Sequence, residues 1–487
     1  MLLKDLLRGL KVKEIQGNDK LFIKDIAYNS QKSSDDSLFI CIEGLKTDGH
    51  LYIKDAIRRG AIAVIVQKDV KVEGATIVQV EDTRKALALI ANRYHHQPST
   101  KLNLIGVTGT NGKTSTTYMI KKILEINEKK IGLIGTISNW LGNEKEEDDR
   151  TTPEALDLQR LLHRMVKKKI KSCVMEVSSH SLELQRVEEC NFTIGVFTNL
   201  TPDHLDFHET IENYRNAKKK LFYKTSFYNI INIDDNDGKI ILDEIKHLDT
   251  PILTYGVNSE ADISAKNIVM TIKSVSFDLM TPSYEEKIKI NIPGMFTVYN
   301  ALAAITTAYC MRIDREQIKL GLQSIKGIAG RIEPIEEFKE FAVIVDYAHT
   351  PDALENILKS VKGFVNNKLI TVFGCGGDRD RSKRPVMGEI SSKFSDVTII
   401  TSDNPRSEKP TEIIDMIVEG IRGNKEKYHI VVDRREAIRK ALKSAVKGDI
   451  ILIVGKGHET YQIINENVIE FDDKKVAIEV AREEGIL

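Results

Sequence analysis

The stretch GVTGTNGKTST, residues 106–116, holds the densest chemistry of the chain. A glycine-rich turn leading from a strand into a helix lets backbone N–H groups approach phosphate oxygens. Lys113 is placed to neutralise phosphate charge, and the Thr114 hydroxyl to ligate Mg²⁺. The glycines fall at 106, 109 and 112, and Val107 stands where the strict nucleotide-binding loop carries glycine. That spacing, and the lack of an NKxD motif, turn the reading away from a generic ATPase or GTPase. An acid belongs opposite the threonine. CVMEVSSHSLELQRV, 173–187, delivers Glu176 at the end of an apolar run, followed by Ser178, His180 and Arg186; a strand end with a capped helix is the plain alternative. FTNLTPDHLDFH, 197–208, crowds Asp203, His204, Asp206 and His208 into one loop, read either as a metal site or as a loop with polar caps. The next segment holds Lys218, Lys219 and Lys220, and spacing does not single out one of them.

Such groups must be held by a scaffold. Short β-branched runs recur along the chain, each followed by Gly, Asp or Ser and then by helical periodicity. This is the pattern of an α/β fold with mostly parallel sheets. Three blocks are expected: 1–99, a smaller α/β domain; 100–330, a central domain with a parallel sheet behind the phosphate loop and a β-rich insertion around 263–292; and 331–487, a Rossmann-like domain. In the last block five apolar runs read as strands: 342–345, 369–373, 397–400, 430–432 and 450–454. Polar or glycine-rich loops follow them: DYAHTP, GCGGDRD, SDNPR, DRR and GKGHE. Ligands in open α/β sheets bind outside the carboxyl ends of the strands, so the five loops read as one composite binding edge. A helix is expected with Ala437, Ile438, Ala441, Leu442, Ala445 and Val446 on one face.

Composition bounds the partners. The 487 residues carry 71 Lys+Arg and 71 Asp+Glu, which gives no electrostatic footprint for nucleic acid or an anionic membrane. No apolar run approaches the roughly 20 residues that span a bilayer. MLLKDLLRGLK is a poor signal peptide. The five cysteines have no CxxC spacing, against both a disulfide framework and a zinc site, and a cytoplasmic protein is expected.

The ordered set TGTNGKTST, EVSSH, TNLTPDHLDFH, the YN of TVYNALAA, GRIE, DYAHTP, CGGDRDRSKRP, SDNPR and GKGHE resembles the Mur ligase family over essentially the whole chain. LFICIEGLKTDGH, 38–50, resembles its uridine-diphosphate-binding domain. Within the family the likeness is greatest to ligases that add the third residue of the peptidoglycan peptide. The resemblance implies that ATP phosphorylates the D-Glu γ-carboxylate of UDP-N-acetylmuramoyl-L-Ala-D-Glu. The acyl phosphate is then attacked by the amine of the incoming amino acid. A monomer acting on small molecules is expected, with Mg²⁺ as cofactor, ATP as co-substrate, and neither nucleic acid nor membrane as partner.

Site roles follow from the matched motifs. Gly109, Thr110, Asn111, Gly112, Lys113 and Thr114 would cradle the ATP phosphates. Thr114 and Glu176 would hold one Mg²⁺. His204 and Lys218, the latter carbamylated, would serve a second. Asn300 and Arg331, each structural when read alone, would contact the base and ribose side of the nucleotide. Ser30 would contact uridine, and Thr151, Thr152, Ser178 and Arg186 the muramoyl-peptide. A glutamine of some relatives is Leu184 here, with Gln185 beside it. Arg379 and Arg406 would grip the distal carboxylate of meso-diaminopimelate as two buried arginines. Asp403, Asn404, Pro405, Gly455 and Glu459 would complete that pocket. L-Lysine lacks the carboxylate, so it is the disfavoured alternative. A folylpolyglutamate synthase-like ligase is a further alternative, and a nucleotide-dependent switch another. The three loop sets must meet, so closure of the third domain on ligand binding is expected.

Overall fold

The structure is a computed structural model that describes residues 1–44, 47–148, 150–271, 273–421 and 427–487. Leu45 and Lys46 of LFICIEGLKTDGH lie outside the described residues. Among the described residues, three large sheets follow one another along the chain. The first has five strands in the order Val12–Gln16, Thr76–Val80, Ala61–Val66, Ser37–Ile40, Asp25–Ala27, parallel except for the first. The second has 11 strands. Its middle is a parallel run of Ile263–Met270, Ile252–Gly256, Thr225–Asn232, Phe192–Phe197, Asn103–Thr108, Ser172–Glu176 and Ile131–Ile134. Antiparallel pairs cap both edges: Val275–Met280 with Glu285–Ile290, and Asn139–Leu141 with Glu144–Glu146. The sheet is therefore parallel only at its centre. The insertion expected around 263–292 is the hairpin that lengthens one edge.

Strands at the centre are apolar because helices cover both faces. All residues of Ile131–Ile134 and Ser172–Glu176 are buried. On one face pack the helices Lys113–Leu124 and Met295–Cys310, the latter buried almost all round. On the other packs Ala155–Lys167, whose inward Leu158, Leu162 and Met165 are buried. The third sheet has six strands, Glu333–Pro334 antiparallel to Ala342–Asp346, then Ile450–Val454, Leu369–Phe373, Val397–Ile400 and Tyr428–Ile430 in parallel.

The junctions between sheets differ in kind. Ala155 and Leu156 of the central helix are buried in the same apolar core as Leu87, Ile90 and Ala91 of the Thr83–Tyr94 helix. The first two units are joined by a shared core. The central and third units meet through polar contacts such as Asn111 to Asp352 at 2.8 Å, and through Phe296 of the central unit, which packs against the third unit's core.

Two expectations in the third block need correction. The strand expected at 430–432 lies at Tyr428–Ile430, and one residue of the DRR loop behind it turns inward. Arg434 is fully buried; its Nε and Nη2 donate to the two Asp473 oxygens at 2.7 Å each, and Nη2 also donates to the Val454 carbonyl. The helix Arg434–Ser444 buries Ala437, Ile438, Ala441 and Leu442 as expected, but it stops before Ala445 and Val446, and Val446 is exposed. Removing one member of a buried, hydrogen-bonded charge pair strands the other. Arg434→Ala should therefore cost about 3–5 kcal/mol. Calorimetry should show a lowered unfolding transition, partly restored in the Arg434→Met/Asp473→Leu double variant.

Candidate active site at the carboxyl edges of three sheets

The phosphate loop leaves the Asn103–Thr108 strand in the middle of the parallel run. Val107 is a fully buried strand residue packed in the sheet core, which is why the departure from the strict motif is tolerated. The turn needs glycine for two measurable reasons. Gly109 has φ +148°, and a Cβ there would fall 1.9 Å from Thr198 Oγ1; Gly112 has φ +85°, and its Cβ would fall 2.4 Å from Asn300 Oδ1. The loop is braced from behind. Asn111 N donates to Asn199 Oδ1 at 2.9 Å, Thr110 N to the Asn199 carbonyl at 2.8 Å, and Thr198 Oγ1 to the Asn111 carbonyl at 2.6 Å. Lys113 arches over the loop, its Nζ donating to the Gly109 and Thr110 carbonyls. Burial lowers its pKa, with Glu176 working in the opposite direction.

Glu176 ends its strand 1% exposed. Its Oε1 accepts from Thr114 Oγ1 at 3.0 Å and from Thr136 N at 2.9 Å, and its Oε2 from Thr136 Oγ1 at 3.0 Å. Thr151 Oγ1 lies 3.0 Å from Thr136 Oγ1, and Thr152 Oγ1 donates to the Glu176 carbonyl at 2.8 Å. The phosphate loop and Thr136 thus meet on the Glu176 carboxylate, while Thr152 holds the same residue by its backbone carbonyl. Hard oxygen donors of this kind suit Mg²⁺.

The structure separates the three lysines. Lys219 pairs with Glu244 and Lys220 with Glu183 toward solvent. Lys218 is 1% exposed, donates to the Gly109 carbonyl at 2.8 Å, and lies 4.3 Å from the centre of the Tyr214 ring. Burial first, and Lys113 second, push its pKa well below the usual lysine value. His204 sits in a left-handed turn (φ +55°) with its ring 4.8 Å from that of His180 and Nε2 3.4 Å from Asp203. Desolvation in the cleft holds its imidazole neutral, below the ordinary range. His208 faces away, its Nε2 bonded to Ser179 Oγ at 2.9 Å. Among the described residues no three His, Cys, Asp or Glu side chains converge as a metal cluster.

Both residues expected on the nucleotide side lie near the phosphate loop. Asn300 lies against Gly112 and accepts from Thr116 Oγ1 at 3.4 Å, at the first turn after the loop. The Arg331 guanidinium stacks 4.7 Å from the centre of the Tyr347 ring and reaches Thr114 Oγ1 at 3.4 Å. The tight turn at Gly330, packed on the His458 amide, aims it there.

Toward the first sheet, Ser30 is buried in a cleft of about 800 Å³ that also borders Tyr28, Asp55, Arg84, Arg150 and Glu154. Ser178 caps the Ser179–Glu183 helix through Ser181 N and takes its own N–H to Thr152 Oγ1 at 3.1 Å. Arg186 donates to the Thr152 carbonyl at 3.2 Å. Gln185, beside Leu184, reaches Asp82 on the first unit at 2.7 Å.

The loops after the strands of the third sheet hold the remaining candidates. Arg406, in a left-handed turn at φ +51°, donates from Nη1 to the Gly377 carbonyl at 2.8 Å. Arg379 is exposed and Arg406 only half-buried, so the expected pair of buried arginines is corrected: both ride loops on the solvent rim. Pro405 is buried beside Gly377, and Asp403 lies against Gly455. Asn404 Nδ2 donates to Glu459 Oε2 at 2.8 Å, and burial pushes the Glu459 carboxyl up. Residues missed by motif reading hold this pocket. Arg384, fully buried, forks onto Glu408 at 2.8 and 2.9 Å and ties the 376–379 loop to the 403–408 loop. Lys456, also fully buried, donates to Glu459 at 3.1 Å and to the Tyr461 carbonyl. His349 and His458 are pushed down to about 4 by burial and line the central cleft as neutral rings. Arg384 and Lys456 lie inside quoted motifs, but basic residues there read as solvated until their burial is known.

Comparison with known proteins accords with this geometry. The Mur ligase middle domain matches residues 107–308, the Mur ligase glutamate ligase domain 330–457, and the Mur ligase family catalytic domain 22–95. The UDP-N-acetylmuramoyl-L-alanyl-D-glutamate--2,6-diaminopimelate ligase of Alkaliphilus metalliredigens (strain QYMF) is 55% identical over 100% of this chain and 99% of its own. The protein of that name from Clostridioides difficile (strain 630) is 52% identical over 98% of this chain and 99% of its own. A solved structure titled as that ligase superposes with a TM-score of 0.70 at 32% identity, covering 100% of this chain and 99% of its own. With the motifs spanning all three sheets and full-length relatives at this identity, the chain belongs to the Mur ligase family.

Proposed function

We propose that this chain joins meso-2,6-diaminopimelate to the D-Glu γ-carboxylate of UDP-N-acetylmuramoyl-L-Ala-D-Glu at the expense of ATP. The observation that supports the reading is that the third unit reaches the phosphate loop and the Thr114–Glu176 pair, through Arg331 on Thr114 and Asp352 on Asn111. The likeness to relatives named for this activity extends over the full length.

An ionised carboxylate is a poor acyl donor, so the chemistry runs in two steps. A γ-carboxylate oxygen attacks the γ-phosphorus of ATP; the bond to the β,γ-bridging oxygen breaks, and ADP leaves. The amine then attacks the acyl carbon, loses a proton, and the phosphate departs as the amide forms. Little covalent work falls to the protein, and positioning and charge neutralisation dominate. Lys113 would hold the β/γ oxygens and Arg331 would reach the same end from the third unit. Mg²⁺ bound at Thr114 and Glu176 would neutralise phosphate charge. A second ion would need an anionic ligand near His204. Lys218 suits that role as a carbamate, because its lowered pKa favours the neutral amine that adds CO₂. Arg406 and Arg379 would fork onto the distal carboxylate of diaminopimelate, with Asp403 and Glu459 facing its ammonium.

The first test is phosphate release with ATP, Mg²⁺ and the UDP-muramoyl dipeptide, comparing meso-diaminopimelate with L-lysine. Release is expected with diaminopimelate; release with lysine alone would overturn the arginine clamp, and release with neither would overturn the function. Arg406→Ala should raise the KM for diaminopimelate by about 100-fold or more while leaving the KM for ATP near the parent value. An unchanged KM for diaminopimelate would remove Arg406 from the pocket.

A further inference from the structure

A second cleft, of about 430 Å³, lies on the central unit. Tyr228 of the Thr225–Asn232 strand borders it, with Ser283 and Tyr284 of the hairpin turn before Glu285–Ile290. Tyr309, Arg312 and Arg315 border it from the end of the Met295–Cys310 helix and the start of the next. Asn300, on the phosphate loop, is near the start of the first of these helices; Tyr309 follows nine residues later, about 14 Å along the axis. The cleft is therefore at the far end of that helix from the nucleotide site. Its volume falls within the roughly 300–1,000 Å³ of small-molecule sites.

Its polar groups are not all satisfied from within the protein. The Tyr284 hydroxyl is buried with no hydrogen-bond partner among the described residues. Burial raises its pKa, so it stays a donor in want of an acceptor. The Tyr309 hydroxyl, by contrast, lies 3.2 Å from Ser283 Oγ, and its ring centre is 6.2 Å from that of Tyr284. Arg312 and Arg315 are exposed, and among the described residues neither guanidinium makes a hydrogen bond or an ion pair. The backbone adds an independent observation. Arg312 N donates to the Tyr309 carbonyl and Ile313 N to the Ala308 carbonyl, each at 3.0 Å, which closes the helix in a Schellman turn. Arg312 sits at φ +57°, the position of that turn where glycine is usual because a Cβ is crowded there. An arginine thus occupies a place whose backbone favours glycine, and its side chain has no partner in the protein.

The charges name the ligand class. Asp314 also borders the cleft, its Oδ1 taken by the Glu316 amide, so two guanidiniums against one carboxylate leave one positive charge. A guanidinium forks onto a carboxylate, and three phenol rings offer surface to another ring. We infer that this cleft binds a small aromatic carboxylate, its ring among Tyr228, Tyr284 and Tyr309 and its carboxylate on Arg312 and Arg315. The inference stands apart from the function proposed above. The test is a ¹⁹F NMR titration of the full-length protein with 4-fluorobenzoate, run with excess ADP and meso-diaminopimelate to occupy the arginines of the other site. Saturable binding is expected at about 1 mM or tighter. 4-Fluorobenzamide, the same ring without the charge, should bind about 10-fold more weakly. Arg312→Gly suits the turn, so it should leave the thermal unfolding transition near the parent value while weakening 4-fluorobenzoate about 10-fold. Tyr284→Phe should weaken it about 3-fold or more. No saturable binding up to about 10 mM would overturn the inference. So would equal affinity for the benzamide, or an affinity for 4-fluorobenzoate unchanged in both Arg312→Gly and Arg315→Ala.

Discussion

A single buried carboxylate organises the site. Glu176 ends a strand whose five residues are all buried, and it receives Thr114 from the phosphate loop and Thr136 from the strand-end loop beside it. Its carbonyl takes the Thr152 hydroxyl, which fixes the turn leading to Glu154 and Arg186. An acid this deep persists only with its hydrogen bonds in place. The parallel sheet supplies them, because adjacent parallel strands end at the same edge and their loops must converge there.

The same logic extends to the junctions between the units. The first and central units are joined by a common apolar core through Ala155 and Leu156, which keeps the Ser30 cleft and the TTPE turn in fixed relation. The third unit touches the central one through the polar contacts Asn111–Asp352 and Arg331–Thr114 and through Phe296, which packs on the third unit's core.

Within the third unit the pocket is stiffened from beneath. Arg384–Glu408 and Lys456–Glu459 are buried ion pairs directly behind the loops that carry Arg379, Arg406, Asp403 and Asn404. Buried pairs of this kind add little net stability but fix geometry, since a charge displaced from its partner has no solvent to fall back on.

The sequence by itself determined the α/β class, the phosphate loop, Glu176 as the acid opposite Thr114, and the polar loops that follow the third block's strands, because local apolar runs and glycine turns encode strand–loop–helix units. It could not choose among Lys218, Lys219 and Lys220, which are equivalent in spacing; burial against Gly109 and Tyr214 chose one. It could not tell that Arg434 is core and Arg379 rim, since an arginine's type is silent on whether an acid waits beside it in the fold. Nor could it bring Arg84 to Glu154, 70 residues apart in the chain but 3.6 Å apart in space. Contacts between separate units are set by how the sheets dock, and only the tertiary structure decides that.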